Sequence, residues 1–439
     1  MEQKAWIVTA HMGLGHMRAA WTLKSWAREN KVIVLGDDKE FSTDNDKKIL
    51  SRTRYFYYQI SRAMELPFIG KFIFGMLDRM MKFPGLYSKE DEKEKTLGTV
   101  ILERMVKKKK ICCKISEKAA CDTNVPVIHT FYATAVAMDG MCKTGSNWLI
   151  VTDTDINRVW VAGNPAKSRI KYMVPCGKTK RRLLKYGVKN ENIFVTGFPL
   201  PVENIGSKEK QEIIAEDLSA RIARLDLTGS FRKMYGKTVL DILGIDSFPE
   251  TEKTINIMYA IGGSGVQAST ALKIAASLQK EIKNKDFSLT ISCGINRELY
   301  STLRRSFADS QYEELLGFGV SIIFADKFED YYNCFNQALR KIDILWTKPS
   351  EMSFYCALGI PIIASAPVGH HEKINRRWLN EIHAAIRTPG KAKECSEWLH
   401  DLLDTGIFPQ TAWNGYLNGE RMGTYNIIEK VFENTGETK

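Results

Sequence analysis

The sequence has no cysteine pair at C-x-x-C spacing, and its nine cysteines are scattered, with only Cys112 and Cys113 adjacent. That scatter argues against a zinc site and against a disulfide framework, and it fits a reducing cytoplasm. No uninterrupted apolar run approaches the ~20 residues that cross a bilayer, so the chain reads as soluble, or peripheral on the cytoplasmic membrane face. An apolar strand pattern begins at Trp6, which leaves no room for a signal peptide. No basic–aromatic module occurs, so nucleic acid is not an expected partner. There is no internal repeat and no low-complexity tract.

Positive charge and apolar residues are plentiful. Lys plus Arg number 63 against 51 Asp plus Glu, a net charge of +12 that favours an anionic partner. Nucleotide phosphates and an acidic membrane surface both qualify. Part of the excess is the run Lys107–Lys110, which also reads as a solvated helix face. With 439 residues, 44% of them hydrophobic, two domains with separate cores are expected.

Two glycine turns organise the chain. Trp6-Ile7-Val8-Thr9-Ala10 leads into His11-Met12-Gly13-Leu14-Gly15-His16 and then a helical pattern. Ile255–Ile261 leads into Gly262-Gly263-Ser264-Gly265 and another. A strand feeding a glycine turn and a helix cradles anions, because backbone N–H groups and the helix N-terminus converge there. Further strands are predicted at 31–35, 125–130, 148–152, 169–174 and 192–196, then at 287–293, 320–324, 342–346 and 361–364. Helices are predicted at 17–29 and 178–186, the latter stopped by Gly187. The fold class is α/β: two Rossmann-like, doubly wound domains facing a cleft. The expected boundaries are 1–200, a hinge and helical insertion at 201–252, a second domain at 253–405 and a closing helix at 406–439. The break is Gly197-Phe198-Pro199-Leu200-Pro201.

One segment departs from the alternation. Phe68-Ile69, Phe72-Ile73, Met76-Leu77 and Met80-Met81 recur every four residues, which places them on one helix stripe. A buried helix and an interfacial helix near a lipid acceptor both fit that stripe.

Three blocks follow predicted strands. In Ser292-Cys293-Gly294-Ile295-Asn296-Arg297, Gly294 permits a turn, and Asn296 either caps the next helix or meets a ligand. In Trp346-Thr347-Lys348-Pro349-Ser350-Glu351-Met352-Ser353, Pro349 suits a first helical turn. Lys348 there would meet phosphate and Glu351 ribose hydroxyls, with simple capping by Thr347 or Ser350 as the other reading. In Pro367-Val368-Gly369-His370-His371-Glu372-Lys373-Ile374-Asn375, the ligand spacing is poor for a metal. A sugar-hydroxyl clamp by His371, Glu372 and Asn375 fits better.

These blocks, in this order, resemble GT-B glycosyltransferases, in particular the monogalactosyldiacylglycerol synthases and the N-acetylglucosaminyl transferase of peptidoglycan lipid assembly. The matching elements are Gly13-Leu14-Gly15-His16, Val151-Thr152-Asp153, Gly197-Phe198-Pro199, Gly262-Gly263-Ser264-Gly265, Cys293–Asn296, Thr347–Pro349 and Glu372–Asn375. The likeness spans most of the chain except about 39–120 and 203–252. It implies a UDP-sugar as co-substrate, with no further cofactor and no metal. Gly263, Ser264 and Gly265 would face the pyrophosphate, and the backbone near Ala325 the uracil. Gly294, Asn296, Arg297, Lys348, Ser350, Glu351 and Ser353 complete the donor side with His371, Glu372 and Asn375. Gly13, Leu14, Gly15 and His16 would hold the acceptor, with a lipid or polyprenyl-linked hydroxyl among the candidates. The chain departs from the pattern where Ser350 and Glu351 replace glycines and where Cys356 stands in place of a ribose-holding glutamate. Pro201 replaces a hinge arginine, and the histidine that follows Thr-Asp in the galactolipid enzymes is missing.

The reaction expected is inverting sugar transfer. His16 is the candidate base, with turn stabilisation as its structural alternative, and Asp153 is either the base or its orienter. Asp153-Thr154-Asp155 has the D-x-D spelling, but no metal role is assigned to it. A nucleotide-sugar 2-epimerase or hydrolase on the same fold, and a non-catalytic nucleotide-sugar-responsive or membrane-recruited protein, are the alternatives.

Overall fold

Short apolar runs pair side by side into two sheets. In a computed structural model, residues 3–63, 84–87, 94–141, 145–262, 268–367 and 369–433 are described. The first sheet comprises β1 (Ala5–Ala10), β2 (Ala27–Leu35), β3 (Val127–His129), β4 (Asn147–Ile150), β5 (Lys171–Val174) and β6 (Ile193–Val195), in the order β2-β1-β3-β4-β5-β6. The second comprises β7 (Ile255–Ala260), β8 (Phe287–Ser292), β9 (Val320–Ile323), β10 (Ile344–Thr347), β11 (Ile362–Ala364) and β12 (Ala385–Arg387), in the order β12-β11-β10-β7-β8-β9. Every pairing between these strands is parallel. Parallel sheets are covered on both faces, which is why β1 and β10 are buried at every residue. The chain therefore has the GT-B architecture of two Rossmann-like sheets.

Strand order locates the ligand-binding ends. A doubly wound sheet opens a crevice where neighbouring strands send their connections in opposite directions, beyond their carboxyl ends. In the first sheet that point lies between β1 and β3. In the second it lies between β7 and β10. Each glycine turn leaves one of these strands.

The chain forms two compact units: Met1–Leu200 with Val368–Ile374 and Met422–Lys439, and Pro201–Pro367 with Asn375–Arg421. Residues 201–252 thus fold with the second unit, mainly as the helices Glu212–Leu225 and Ser230–Leu243. The C-terminal stretch is divided. Helix Ile407–Asn418 lies in the second unit, whereas Ile427, Val431 and Phe432 of helix Gly423–Phe432 join the first unit's core beside Ile7 and Ile150.

The structure corrects three expectations. The helix predicted at 17–29 ends at Thr22, and Ala27 already pairs with Ala5 of β1. Glu29 and Asn30 both take positive φ, producing an irregularity where the register shifts. Pairing with β1 overrides the apolar periodicity there. The strand β12 carries no alternating pattern in its three residues and was not expected. The turn after Thr347-Lys348-Pro349 is an eight-residue 3-10 helix, Glu351–Leu358, rather than an α-helix.

That 3-10 helix is clamped from two sides. Gly415 and Gly419, at GxxxG spacing, let helix Ile407–Asn418 approach it. A Cβ at Gly415 would stand 2.5 Å from the Cys356 carbonyl oxygen, and one at Gly419 2.7 Å from the Cys's neighbour Ala357 at Cβ. From helix Glu212–Leu225, the fully buried guanidinium of Arg221 donates to the carbonyls of Leu358 (3.2 Å) and Gly359 (3.0 Å). It also donates to Ile342 (3.0 Å) and Leu339 (3.4 Å) at the end of helix Phe328–Lys341. One arginine therefore caps two helix C-termini, whose last carbonyls otherwise lack partners.

The stripe at 68–81 lies outside the described residues, so neither reading of it is resolved. Among the described residues no helix is long and apolar enough to cross a membrane.

Candidate functional site

The turn after β1 is shaped by Gly13, whose φ of +141° is a conformation that side chains rarely adopt. A Cβ there would meet nothing within 4 Å, so the backbone, rather than crowding, demands glycine. No side chain caps helix Leu14–Thr22, which leaves its first-turn amides, from Leu14 and Gly15 onward, without a side-chain cap.

His16 sits in that first turn, half-buried, with its Nδ1 2.6 Å from the Thr130 carbonyl just beyond β3. A carbonyl can only accept, so Nδ1 carries the proton and Nε2 keeps a lone pair. The Thr130 hydroxyl donates its one proton to the His16 carbonyl (2.9 Å) and lies 2.8 Å from the Thr9 hydroxyl, from which it can accept. Phe131 lies edge-on to the imidazole at 5.2 Å and Trp160 at 6.0 Å, with Tyr132 packed against both rings. Burial in this aromatic setting pushes the His16 pKa below 6.5, outweighing the upward pulls of Asp153 and the Thr130 carbonyl. His16 is therefore a neutral base at physiological pH.

Asp153 follows β4 on a tightly held loop. Arg182 of helix Gly177–Lys185 grips Asp155 with two 2.8 Å bonds from Nε and Nη2, and both side chains are almost fully buried. The Thr179 hydroxyl donates to the Thr154 carbonyl at 2.8 Å. The D-x-D spelling thus does not present two open carboxylates, because Asp155 is committed to Arg182. Among the described residues no group of three His, Cys, Asp or Glu could hold a metal ion.

His129, the last residue of β3, is fully buried and bonded through Nδ1 to the Thr134 hydroxyl at 2.8 Å. Burial pushes its pKa down to about 3. Between the unfolded value near 6.5 and 3, the unfolded chain binds more protons than the folded one. Stability is therefore lost as pH falls, by about 2 kcal/mol between pH 6.5 and 4.5 from this one group. Chemical denaturation at those two pH values should show the loss, and His129→Gln should flatten it. An unchanged slope in the variant would remove His129 as its source.

In the second unit, β10 ends at Thr347, paired with Ala260 at the end of β7. Lys348 is mostly buried, and its Cδ lies 3.9 Å from where a Cβ of Gly262 would stand. The lysine stem therefore runs beside the opening of the second glycine turn. Gly263, Ser264 and Gly265 themselves lie outside the described residues. Ser350 precedes the 3-10 helix without capping it, Glu351 begins that helix half-buried, and Ser353 is fully buried. The Ser353 hydroxyl has no hydrogen-bond partner among the described residues. Asn375 is fully buried and donates from Nδ2 to the Pro349 carbonyl at 3.4 Å, which ties its helix to the Lys348–Ser350 turn.

The ends of β8 and β9 form a second group. Gly294 has φ +66°, and its carbonyl accepts from the Ala325 amide at 3.4 Å, bringing those two residues together. Asn296 caps helix Arg297–Ala308 by accepting from the Leu299 amide at 3.0 Å. Arg297 is exposed, paired with Asp326 and placed over the Phe324 ring at 5.6 Å. Tyr300 stacks on that ring at 4.6 Å. At the start of helix His370–Glu381, Glu372 accepts from the Gly369 amide at 3.4 Å, and the His371 ring fills the space where a Gly369 side chain would stand.

Sequence reasoning missed the aromatic wall of Phe131, Tyr132 and Trp160 and the approach of Arg54 to His11. The signal for the wall was available: Phe131 and Tyr132 come one residue after β3, the neighbour of β1.

Comparison with known proteins adds the following. A family described as a domain of unknown function, DUF6938, matches residues 305–433. The processive diacylglycerol beta-glucosyltransferase of Bacillus pumilus is 23% identical over 399 residues, covering 88% of this chain and 82% of the relative. The S. aureus MnaA–UDP co-structure has a TM-score of 0.50 at 10% identity, covering 99% of this chain and 98% of that one. The UDP-GlcNAc 2-epimerase from Neisseria meningitidis, bound to UDP-GlcNAc, has a TM-score of 0.47 at 12% identity, covering 98% and 100%.

Proposed function

We propose that this glycosyltransferase-like chain of GT-B fold transfers a sugar from a UDP-sugar to an alcohol, with inversion and without a metal. The observation that carries the reading is His16, whose Nδ1–H is fixed on Thr130 while Nε2 keeps its lone pair. Nε2 takes the proton of the acceptor hydroxyl as that oxygen attacks the anomeric carbon. The bond from that carbon to the diphosphate oxygen breaks, and its electron pair leaves with UDP. Asp153 stabilises the imidazolium formed at His16. Lys348, beside the second glycine turn, offsets charge on the departing diphosphate. The turn at Gly263–Gly265 is assigned the pyrophosphate, and Gly294 with Ala325 the base. The name of the Bacillus pumilus relative makes diacylglycerol the first acceptor to offer and UDP-glucose the first donor.

The test combines binding and turnover. UDP at ~100 times its dissociation constant should stabilise the protein by about 2.7 kcal/mol, without magnesium. UDP release from UDP-glucose should then depend on diacylglycerol in mixed vesicles. Turnover of UDP-GlcNAc without any acceptor would transfer the assignment to an epimerase or hydrolase. Binding of UDP-sugars with no product would leave a nucleotide-sugar-responsive binding protein.

A further inference from the structure

The first glycine turn carries a second imidazole that the reaction above does not use. His11 leaves β1 just ahead of Gly13, and Arg54 of helix Asp44–Ala63 places Nη1 2.9 Å from its Nδ1. Arginine can only donate, so Nδ1 of His11 accepts and its proton resides on Nε2. His16 is the reverse, with its proton on Nδ1 and a lone pair on Nε2. Neither Nε2 has a hydrogen-bond partner among the described residues. Among the described residues the only carboxylate facing His11 is Asp37, 3.9 Å from Nδ1, and its pull is weaker than that of Arg54. Burial and Arg54 keep His11 neutral, with a pKa below 6.5, against the upward pull of Asp37.

We infer that the turn presents two imidazoles of opposite polarity, and that Nε2–H of His11 donates a hydrogen bond to a second oxygen of the acceptor while Nε2 of His16 receives the proton of the attacking hydroxyl. This rests on the sugar-transfer reading. It narrows the acceptor to an alcohol bearing another oxygen close to the nucleophilic hydroxyl, as a glycerol or sugar alcohol does, rather than a simple long-chain alcohol. A donor facing a base also sorts the orientation of such an acceptor, because an oxygen without a proton is welcome only at His11. Arg54 acts as a positioning residue that fixes the His11 tautomer.

Two measurements test the inference. The chain has seven histidines, few enough for side-chain assignment by single substitutions. In the unliganded full chain, imidazole nitrogen and carbon shifts should report the Nε2–H tautomer for His11 and the Nδ1–H tautomer for His16. Arg54→Leu should shift the His11 population toward Nδ1–H and raise its pKa while leaving the His16 tautomer in place. A wild-type His11 protonated on Nδ1 would overturn the inference with no enzymatic assay. In turnover with dioleoylglycerol, His11→Leu should raise the acceptor KM about tenfold, the size of one lost hydrogen bond. His11→Gln, which keeps an N–H near the Nε2 position, should recover most of that. A His11→Leu enzyme with an unchanged acceptor KM sinks the inference and leaves sugar transfer standing, whereas failure of sugar transfer itself is read from the wild type.

Discussion

Replacing His16 by asparagine is expected to lower turnover by about 10²–10⁴-fold, the contribution of a positioned general base. Asparagine is the informative choice because its amide can still donate to the Thr130 carbonyl, which Nδ1 of His16 meets at 2.6 Å. The turn is then retained and only the base is lost, so melting temperature should change little while turnover collapses. His16→Ala removes both and should cost stability as well. The pH profile gives an independent check. Burial holds the imidazole below 6.5, so the acid limb of kcat/KM should lie below that value. Asp153 raises the His16 pKa; Asp153→Asn should therefore move the limb to lower pH and slow turnover by weakening the base. A limb that stays in place would separate Asp153 from His16. Full turnover in His16→Asn would remove His16 from the base role.

Arg221→Met should unfold the second unit far more easily, by about 4 kcal/mol, counting ~1 kcal/mol for each of four buried carbonyls left without a donor. Methionine fills much of the volume, so the loss reports the missing hydrogen bonds rather than a cavity. Burial lowers the Arg221 pKa to about 10, which still leaves it charged at neutral pH. Asp217 and Asp343 supply compensating charge from nearby. Arg221→Lys should restore little, because one ammonium cannot span two helix ends with a planar fork. Urea unfolding followed by tryptophan fluorescence would measure this. A variant within 1 kcal/mol of wild type would mean that water replaces the guanidinium at those carbonyls.

Much of the fold was legible in the sequence, because parallel strands buried on both faces read as continuous apolar runs. Runs such as Trp6–Ala10 and Ile255–Ile261 announced β1 and β7, and the glycines that follow them marked the strands that border each ligand crevice. Asn296 as a cap was legible from its position before a helical pattern. What stayed hidden depended on partners distant in sequence. Ala27 becomes a strand residue because Ala5 is beside it, and Arg54 reaches His11 across 43 positions. Arg221 reads as one cation in a polar helix until its four carbonyl partners, all more than 100 positions downstream, are in place. Asn375 matched the motif expected to face the donor sugar; that its amide also donates to the Pro349 carbonyl is a use that no motif encodes.

The 3-10 turn Glu351–Leu358 carries a phase consequence. An α-helix advances about 100° per residue and a 3-10 helix about 120°. Five positions past Glu351, the two geometries differ in heading by about 100°, so a residue there points elsewhere than it would in an α-helix. Cys356 is such a residue: it is fully buried, with its carbonyl lodged against Gly415. Its side chain is therefore held in packed interior. A glutamate grafted at that position would point into packed interior, and the heading of Glu351 recurs three residues on, at Phe354. Along this turn headings repeat every three residues, so positions counted at α-helical phase name side chains that look in other directions.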